Sequence, residues 1–375
     1  MKLVPFVLEE WLAKYRDSVP HHLGMSTGPR WTMAELRALM TGDERDAFDR
    51  AALTYTPSNG REPLRAAIAS IYGADPEEIV VFNGGAEALL TLFFVAGDRE
   101  RNVVVPTPSF APFVEIPTAL GVEARRYTLR LENGFALDPE EIMRLCDANT
   151  RLILVNTPHN PSGAVVGEEA IRALDEFAQR RGIQLVVDEV YHPIYHGASA
   201  RSAAEFSRAS VLGDFSKSFS LPGLRIGWIL ERDAKRRKEL ENAHAYFTVC
   251  ASMPSELLAE VAARNRETIW NRARAVSAHN LAPLADWCAE NEEWVEWVRP
   301  RGSMTAFPRL RGASDAQPFC VAAAERGVLL AIGQAFGAPA HFRIGFGLEM
   351  PRYREALGIL SDVLASRRFA SNVGA

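Results

Sequence analysis

Between about residues 75 and 228 the chain alternates short apolar, β-branched runs with helical patterns, and this alternation limits the fold more than any other feature. The runs lie at 79–82, 103–105, 152–155, 185–187 and 211–213, with helical stretches such as 86–96 and 168–181 between them. A run that is apolar at nearly every position reads as a strand covered on both faces, and a helix between two strands lets the second lie parallel to the first. The pattern predicts an α/β fold, a three-layer α/β/α large domain with a mostly parallel mixed sheet. The run 224–230 follows 211–213 too closely for a helical crossover, so it is expected to lie antiparallel to its neighbour. A helical stretch is expected from 233 to about 291. Beyond it a hairpin-like pair (294–298 and 304–310, joined at 300–302), a helix and β segments at 328–332 and 342–346 predict a smaller α+β domain. The expected division is an N-terminal arm over 1–40 packing with the small domain, a large domain over 41–260 and a small domain over 261–375.

Composition narrows the function classes. A net charge of −5 over 375 residues leaves no electrostatic footprint for nucleic acid or an anionic membrane. The basic run 235–238 is flanked by Glu231, Asp233, Glu239 and Glu241, the pattern of a solvated helix face. Cys146, Cys250, Cys288 and Cys320 have no metal-ligand spacing, so no metal is expected and a reducing compartment is. The apolar run at the N-terminus is too short for a signal peptide and no stretch is long enough to cross a bilayer, so the expected location is cytoplasmic.

In open α/β sheets ligands gather at the carboxyl ends of strands, and five strand ends here carry unusual residues. After 79–82, Asn83-Gly84-Gly85-Ala86 opens a helix; its N–H groups suit a phosphate, or the glycines simply make a turn. After 103–105, Phe110 can stack on a flat ring or serve as core. After 152–155, the stiff loop through Asn160-Pro161-Ser162-Gly163 offers an amide donor or an Asx-turn. After 185–187, Asp188 ends an apolar strand, where a carboxylate needs a cation or donors. A protonated ring nitrogen would serve, with Tyr191 on another edge of the ring; a helix cap is the alternative. After 211–213 comes Lys217, an amine suited to imine formation once it sits among such groups. Arg225 can clamp a phosphate, and Arg343, inside the apolar run 342–346, can take a carboxylate bidentately or form a structural ion pair.

Taken in order, Asn160-Pro161-Ser162-Gly163, Asp188-Glu189-Val190-Tyr191, and Ser216-Lys217 with Gly223-Leu224-Arg225-Ile226-Gly227-Trp228 resemble the fold-type I pyridoxal-phosphate enzymes of the class I/II aminotransferase family. The resemblance spans roughly 55–347. It implies that Lys217 holds pyridoxal 5′-phosphate as an imine, that Asp188 pairs with the ring nitrogen, and that Asn160 and Tyr191 bind the ring oxygen. Phe110 would stack on the ring, while Gly85, Ala86, Ser216 and Arg225 would hold the phosphate. Arg343 matches the arginine for the substrate's α-carboxylate, with Asn160 and Gly24 also at the substrate. Tyr55 matches a tyrosine supplied to the neighbouring subunit's phosphate, which implies a homodimer. One position departs from the pattern. Asp214 stands three residues before Lys217, where the family usually has serine or threonine, and an ionised carboxylate cannot donate to a phosphate.

The resemblance implies an aminotransferase moving an amino group between an amino acid and a 2-oxo acid. Segments 8–12, 31–36 and 301–309 are also similar to a subgroup that includes capreomycidine synthase. That similarity raises β-elimination, replacement or cyclisation on the same cofactor as the alternative. A non-catalytic, pyridoxal-phosphate-sensing regulator would need a DNA-binding domain, for which the arm ahead of Tyr55 is too short.

Overall fold

Seven strands form the large sheet of the computed structural model, which describes residues 2–97 and 99–366. In chain order they are β1 (Ile79–Phe82), β2 (Asn102–Thr107), β3 (Glu123–Thr128), β4 (Thr150–Asn156), β5 (Gln184–Asp188), β6 (Ser210–Asp214) and β7 (Gly227–Leu230). Their order across the sheet is β1-β7-β6-β5-β4-β2-β3. All neighbours are parallel except β7, which is antiparallel to both β1 and β6.

Strand alternation divides the side chains between two cores. Val80, Phe82, Val103, Leu152, Val186 and Ile229 face the helices Gly85–Ala96 and Pro112–Leu120. Ile79, Val81, Val104, Ile153, Val187 and Val211 face the other way, toward the helices Glu62–Tyr72 and Glu168–Arg181. Both faces of the sheet are thus covered, which makes the three layers, and it explains why the central runs are apolar at every position.

Several sequence-based expectations need correction. No strand was expected at β3, because Glu-Ala-Arg-Arg-Tyr-Thr is mostly polar; it is the sheet's edge, where only Tyr127 is buried. β7 begins at Gly227 rather than 224, because a 3₁₀ turn occupies Pro222–Leu224 and Arg225 is left-handed at φ 50°. The helical stretch after 233 is three helices, Ala234–Phe247, Met253–Arg264 and Arg266–Glu290. The run 304–310 splits between two sheets. Arg309–Leu310 pairs with Val295–Glu296, while Thr305–Ala306 pairs with Phe342–Gly345. The run 328–332 divides likewise: Ala331–Ile332 joins Phe342–Gly345, and Val328–Leu329 pairs with His21–His22 of the N-terminal arm. Trp11 adds a 2.7 Å bond from its indole N–H to the Leu330 carbonyl, so the arm is stitched onto this strand region.

Candidate active site

β4, β5 and β6 end at Asn156, Asp188 and Asp214, and a cavity of about 290 Å³ opens against all three. Asn156 ties two strand ends together: its Nδ2 donates to the Asp188 carbonyl at 3.1 Å and its Oδ1 accepts the Asn160 N–H at 2.8 Å. The Asp188 carboxyl accepts the Val190 N–H at 3.1 Å. Burial pushes its pKa up to about 7; the Val190 N–H opposes the shift, Asp214 adds to it and Lys217 partly offsets it. Its sequence neighbour Glu189 takes a different role. Alternation turns it out of the cavity to accept from the Ser202 hydroxyl and the Ala203 N–H, both at 2.6 Å.

The turn after β6 is pinned on both sides of Lys217. Phe215 and Phe219 pack with tilted rings 4.5 Å apart, and both rings pack on Trp228. With its neighbours anchored in the core, the Lys217 side chain lines the cavity, where Nζ donates to Ser26 Oγ at 3.0 Å. Tyr191, fully buried, also lines the cavity and donates to the Ser26 carbonyl at 3.1 Å.

Opposite lies the amino end of the Gly85–Ala96 helix, which has no side-chain cap. Unpaired N–H groups and the helix dipole favour an anion there. Gly84 is left-handed at φ 91°, and a Cβ on it would overlap the Arg225 guanidinium; only glycine lets Arg225 lie against the turn. A Cβ on Gly227 would come within 2.6 Å of the Gly84 and Gly85 backbone, so this glycine allows the start of β7 to approach the helix end. Gly85, Ala86, Ser216 and Arg225 all line this side of the cavity, and so does Asp214.

Arg343 occupies the third corner and is 1% exposed. Nη1 donates to Asn160 Oδ1 at 3.1 Å, Nη2 to the Gly24 carbonyl at 2.7 Å, and Nε is buried without a partner. The guanidinium lies 4.9 Å over the Phe336 ring. Burial lowers its pKa to about 10, which still leaves it cationic at neutral pH.

Of the residues singled out in the sequence, Gly85, Ala86, Phe110, Asn160, Asp188, Tyr191, Ser216, Lys217, Arg225 and Arg343 all line this one cavity. Gly24 meets it only through its carbonyl on Arg343. Tyr55 is 84% exposed and does not line it. Sequence reasoning placed Ser26 only within the 23–26 segment expected to cover the pocket, without a chemical role, and gave none to Glu9 and Arg16 of the Val7–Tyr15 helix; all three line the cavity. Nothing local marks Ser26; it arrives because the arm is bound to the 328–330 strand region and the Gly345 N–H bonds the Leu23 carbonyl at 2.5 Å.

A model of the family described as Aminotransferase class I and II matches residues 26–360. Capreomycidine synthase of Streptomyces vinaceus is 32% identical over 96% of this chain and 93% of its own length. Among solved structures, a pyridoxal-phosphate-dependent aminotransferase from Streptococcus suis superposes with a TM-score of 0.89 at 28% identity, covering all of both chains. The pyridoxal-phosphate-dependent cyclase OrfR superposes with a TM-score of 0.88 at 31% identity over 98% of each chain.

The cavity fits that cofactor on its own chemistry. A carboxyl raised by burial gains from a cationic ring nitrogen, an uncapped helix end beside an arginine suits a phosphate, and an amine stands on the cavity wall between them.

Proposed function

Because the chain belongs to the class I and II aminotransferase family, whose cofactor is pyridoxal 5′-phosphate, we propose that it moves an amino group between an amino acid and a 2-oxo acid. The observation that carries this reading is that Lys217 Nζ, the Asp188 carboxyl and the Arg343 guanidinium line a single cavity. Bound there, pyridoxal phosphate supplies an aldehyde for amines and a ring that draws electrons from the substrate's α-carbon. Asp188 holds the proton on the ring nitrogen, which keeps the ring electron-poor. Arg343 takes the substrate carboxylate on its guanidinium, with Asn160 fixing that group through Oδ1. Lys217 Nζ, on the cavity wall, would hold the cofactor through its aldehyde and would serve as the base that takes up and returns the substrate's α-proton. Gly85, Ala86, Ser216 and Arg225 would anchor the phosphate and so keep the ring oriented in the cavity.

The similarity to capreomycidine synthase and to a cyclase of nearly equal structural likeness supports a second reading, in which loss of the same α-proton leads to β-elimination, replacement or cyclisation. The same side chains serve both. Incubating the loaded enzyme with a panel of amino acids separates them: a 2-oxo acid with the aminated cofactor means transamination, whereas free ammonia or a cyclic product without it means the second reading. Lys217→Ala that kept the visible absorbance of a lysine-bound cofactor and turned over substrate would overturn both.

A homodimer is part of the proposal. Leu53, Tyr55 and Tyr246 are each more than four-fifths exposed, and Val249 and the mutually packed Phe94 and Phe247 stand exposed with them. Large apolar side chains exposed in such number suit a second copy of the chain, with Tyr55 reaching its phosphate site. No helix among the described residues is long and apolar enough to cross a membrane, and all four cysteines are free thiols, which suits a cytoplasmic enzyme.

A further inference from the structure

The anion cradle contains a carboxyl that its chemistry does not call for. Asp214 is 7% exposed and lines the cavity at the carboxyl end of β6. Its Oδ1 accepts the Ser216 N–H at 2.9 Å, which fixes the side chain in place instead of letting it swing to solvent. Its Oδ2 sits against the first residue of the Gly85–Ala96 helix, where a Cβ on Gly85 would lie 3.2 Å away. The carboxyl therefore shares the helix end with any phosphate bound there.

The charged groups facing it are Lys217 from the following turn, Arg225 from ahead of β7 and Asp188 from β5, along with the helix amino end itself. Burial raises the Asp214 pKa, while Lys217 and Arg225 oppose the shift. A phosphate monoester dianion beside an ionised Asp214 would meet a like charge in a buried site, and a carboxylate offers that phosphate no donor. A single proton between a carboxyl oxygen and a phosphate oxygen removes the repulsion and makes a charge-assisted O–H···O bond. The second ionisation of a phosphate monoester lies near pH ~6, so the proton is available close to neutrality.

Resting on the cofactor assignment above, we propose that binding the cofactor's phosphate takes up one proton, held between Asp214 and the phosphate, so that affinity for the phosphorylated cofactor falls as pH rises. No bond other than this hydrogen bond forms, and the proton comes from solvent. Once both free partners are ionised, one-proton linkage weakens binding by up to about tenfold per pH unit. Serine or threonine at this position would bind the dianion without the proton.

The test is equilibrium binding of pyridoxal phosphate and of pyridoxal to the cofactor-free protein at pH 6.5, 7.5 and 8.5, followed by visible absorbance. Both probes present an aldehyde to Lys217, but pyridoxal largely closes on its own 5′-hydroxyl as a hemiacetal, so the comparison is of slopes with pH rather than of the constants themselves, and the phosphate is what distinguishes the slopes. In the wild type the dissociation constant of pyridoxal phosphate should rise more steeply than that of pyridoxal, by up to about tenfold per pH unit. In Asp214→Asn, which keeps the acceptor for the Ser216 N–H, the extra slope should vanish and binding at pH 8.5 should tighten. Equal slopes for the two probes in the wild type, or an unchanged excess slope in the Asn variant, overturn the proposal. If Asp214→Asn does not fold, Asp214→Ser, which can donate to the phosphate and cannot ionise, makes the same comparison with the same expected loss of the extra slope. Absence of a lysine-bound chromophore with either probe would instead count against the Lys217 assignment.

Discussion

Asp188 offers a stability prediction that depends on no substrate. In the folded protein its pKa is raised from 3.8 to about 7, chiefly by burial. The folded state therefore binds more protons than the unfolded chain between those values, and stability falls as pH rises through the interval. At about 1.4 kcal/mol per unit, the full effect is roughly 4 kcal/mol, complete above about pH 7 and absent below about pH 4. Asp188→Asn keeps the acceptor for the Val190 N–H and cannot ionise, so in the cofactor-free protein it should be the more stable form at pH 8. The repulsion between Asp188 and Asp214 is already part of that shift. An unfolding entropy of about 2.1 cal/mol/K per residue converts 4 kcal/mol into a Tm gain of about 5 °C for a chain this long. Thermal unfolding followed by circular dichroism at one scan rate, from pH 4 to pH 8, measures it. The gap between variant and wild type should open steadily across that range, and saturating pyridoxal phosphate should reverse it by giving the wild-type carboxylate its cation. A gap of the same size at pH 5 and pH 8 would show that Asp188 does not ionise in this window and would refute the reasoning.

Two further outcomes concern the site's other corners. Arg343→Ala should lower kcat/KM by about 30-fold to several thousand-fold, the ~2–5 kcal/mol range for breaking a buried charge pair, while the cofactor's absorbance stays intact. Loss of that absorbance instead would mean that Arg343 supports the fold rather than the substrate. Tyr55→Phe should weaken pyridoxal phosphate binding about tenfold or more, the ~1.5–3 kcal/mol of one bond to a charged group, in protein shown to be dimeric by sedimentation. Wild-type cofactor affinity in that variant would remove Tyr55 from the neighbouring site.

Much of the sheet was legible because its strands are buried on both faces. Ile79–Phe82 was read without a shift, and the antiparallel sense of β7 followed from the short link alone. β3 was missed for the converse reason: an edge strand with one buried side chain carries no apolar run. The strands between 304 and 332 are two residues long and belong to different sheets, so the apolar runs could not show where one partner gives way to the next. Asp188 and Arg343 were legible because each is a charged group in an otherwise apolar run. Ser26 could be placed in a segment covering the pocket but not against Lys217, because that contact depends on pairings made more than 300 residues away.

Sequence alone thus determined the α/β order and the chemistry of each strand end, since apolar periodicity, turn glycines and a misplaced charge are local properties. Convergence was left to the tertiary structure. Strands that lie far apart in the chain bring Lys217, Asp188 and the Gly85 helix end to one cavity, and the β strand carrying Arg343 closes on it. Only packing places Asp214 against the helix end instead of turning it to solvent: the Ser216 N–H holds Oδ1 while Oδ2 sits against Gly85.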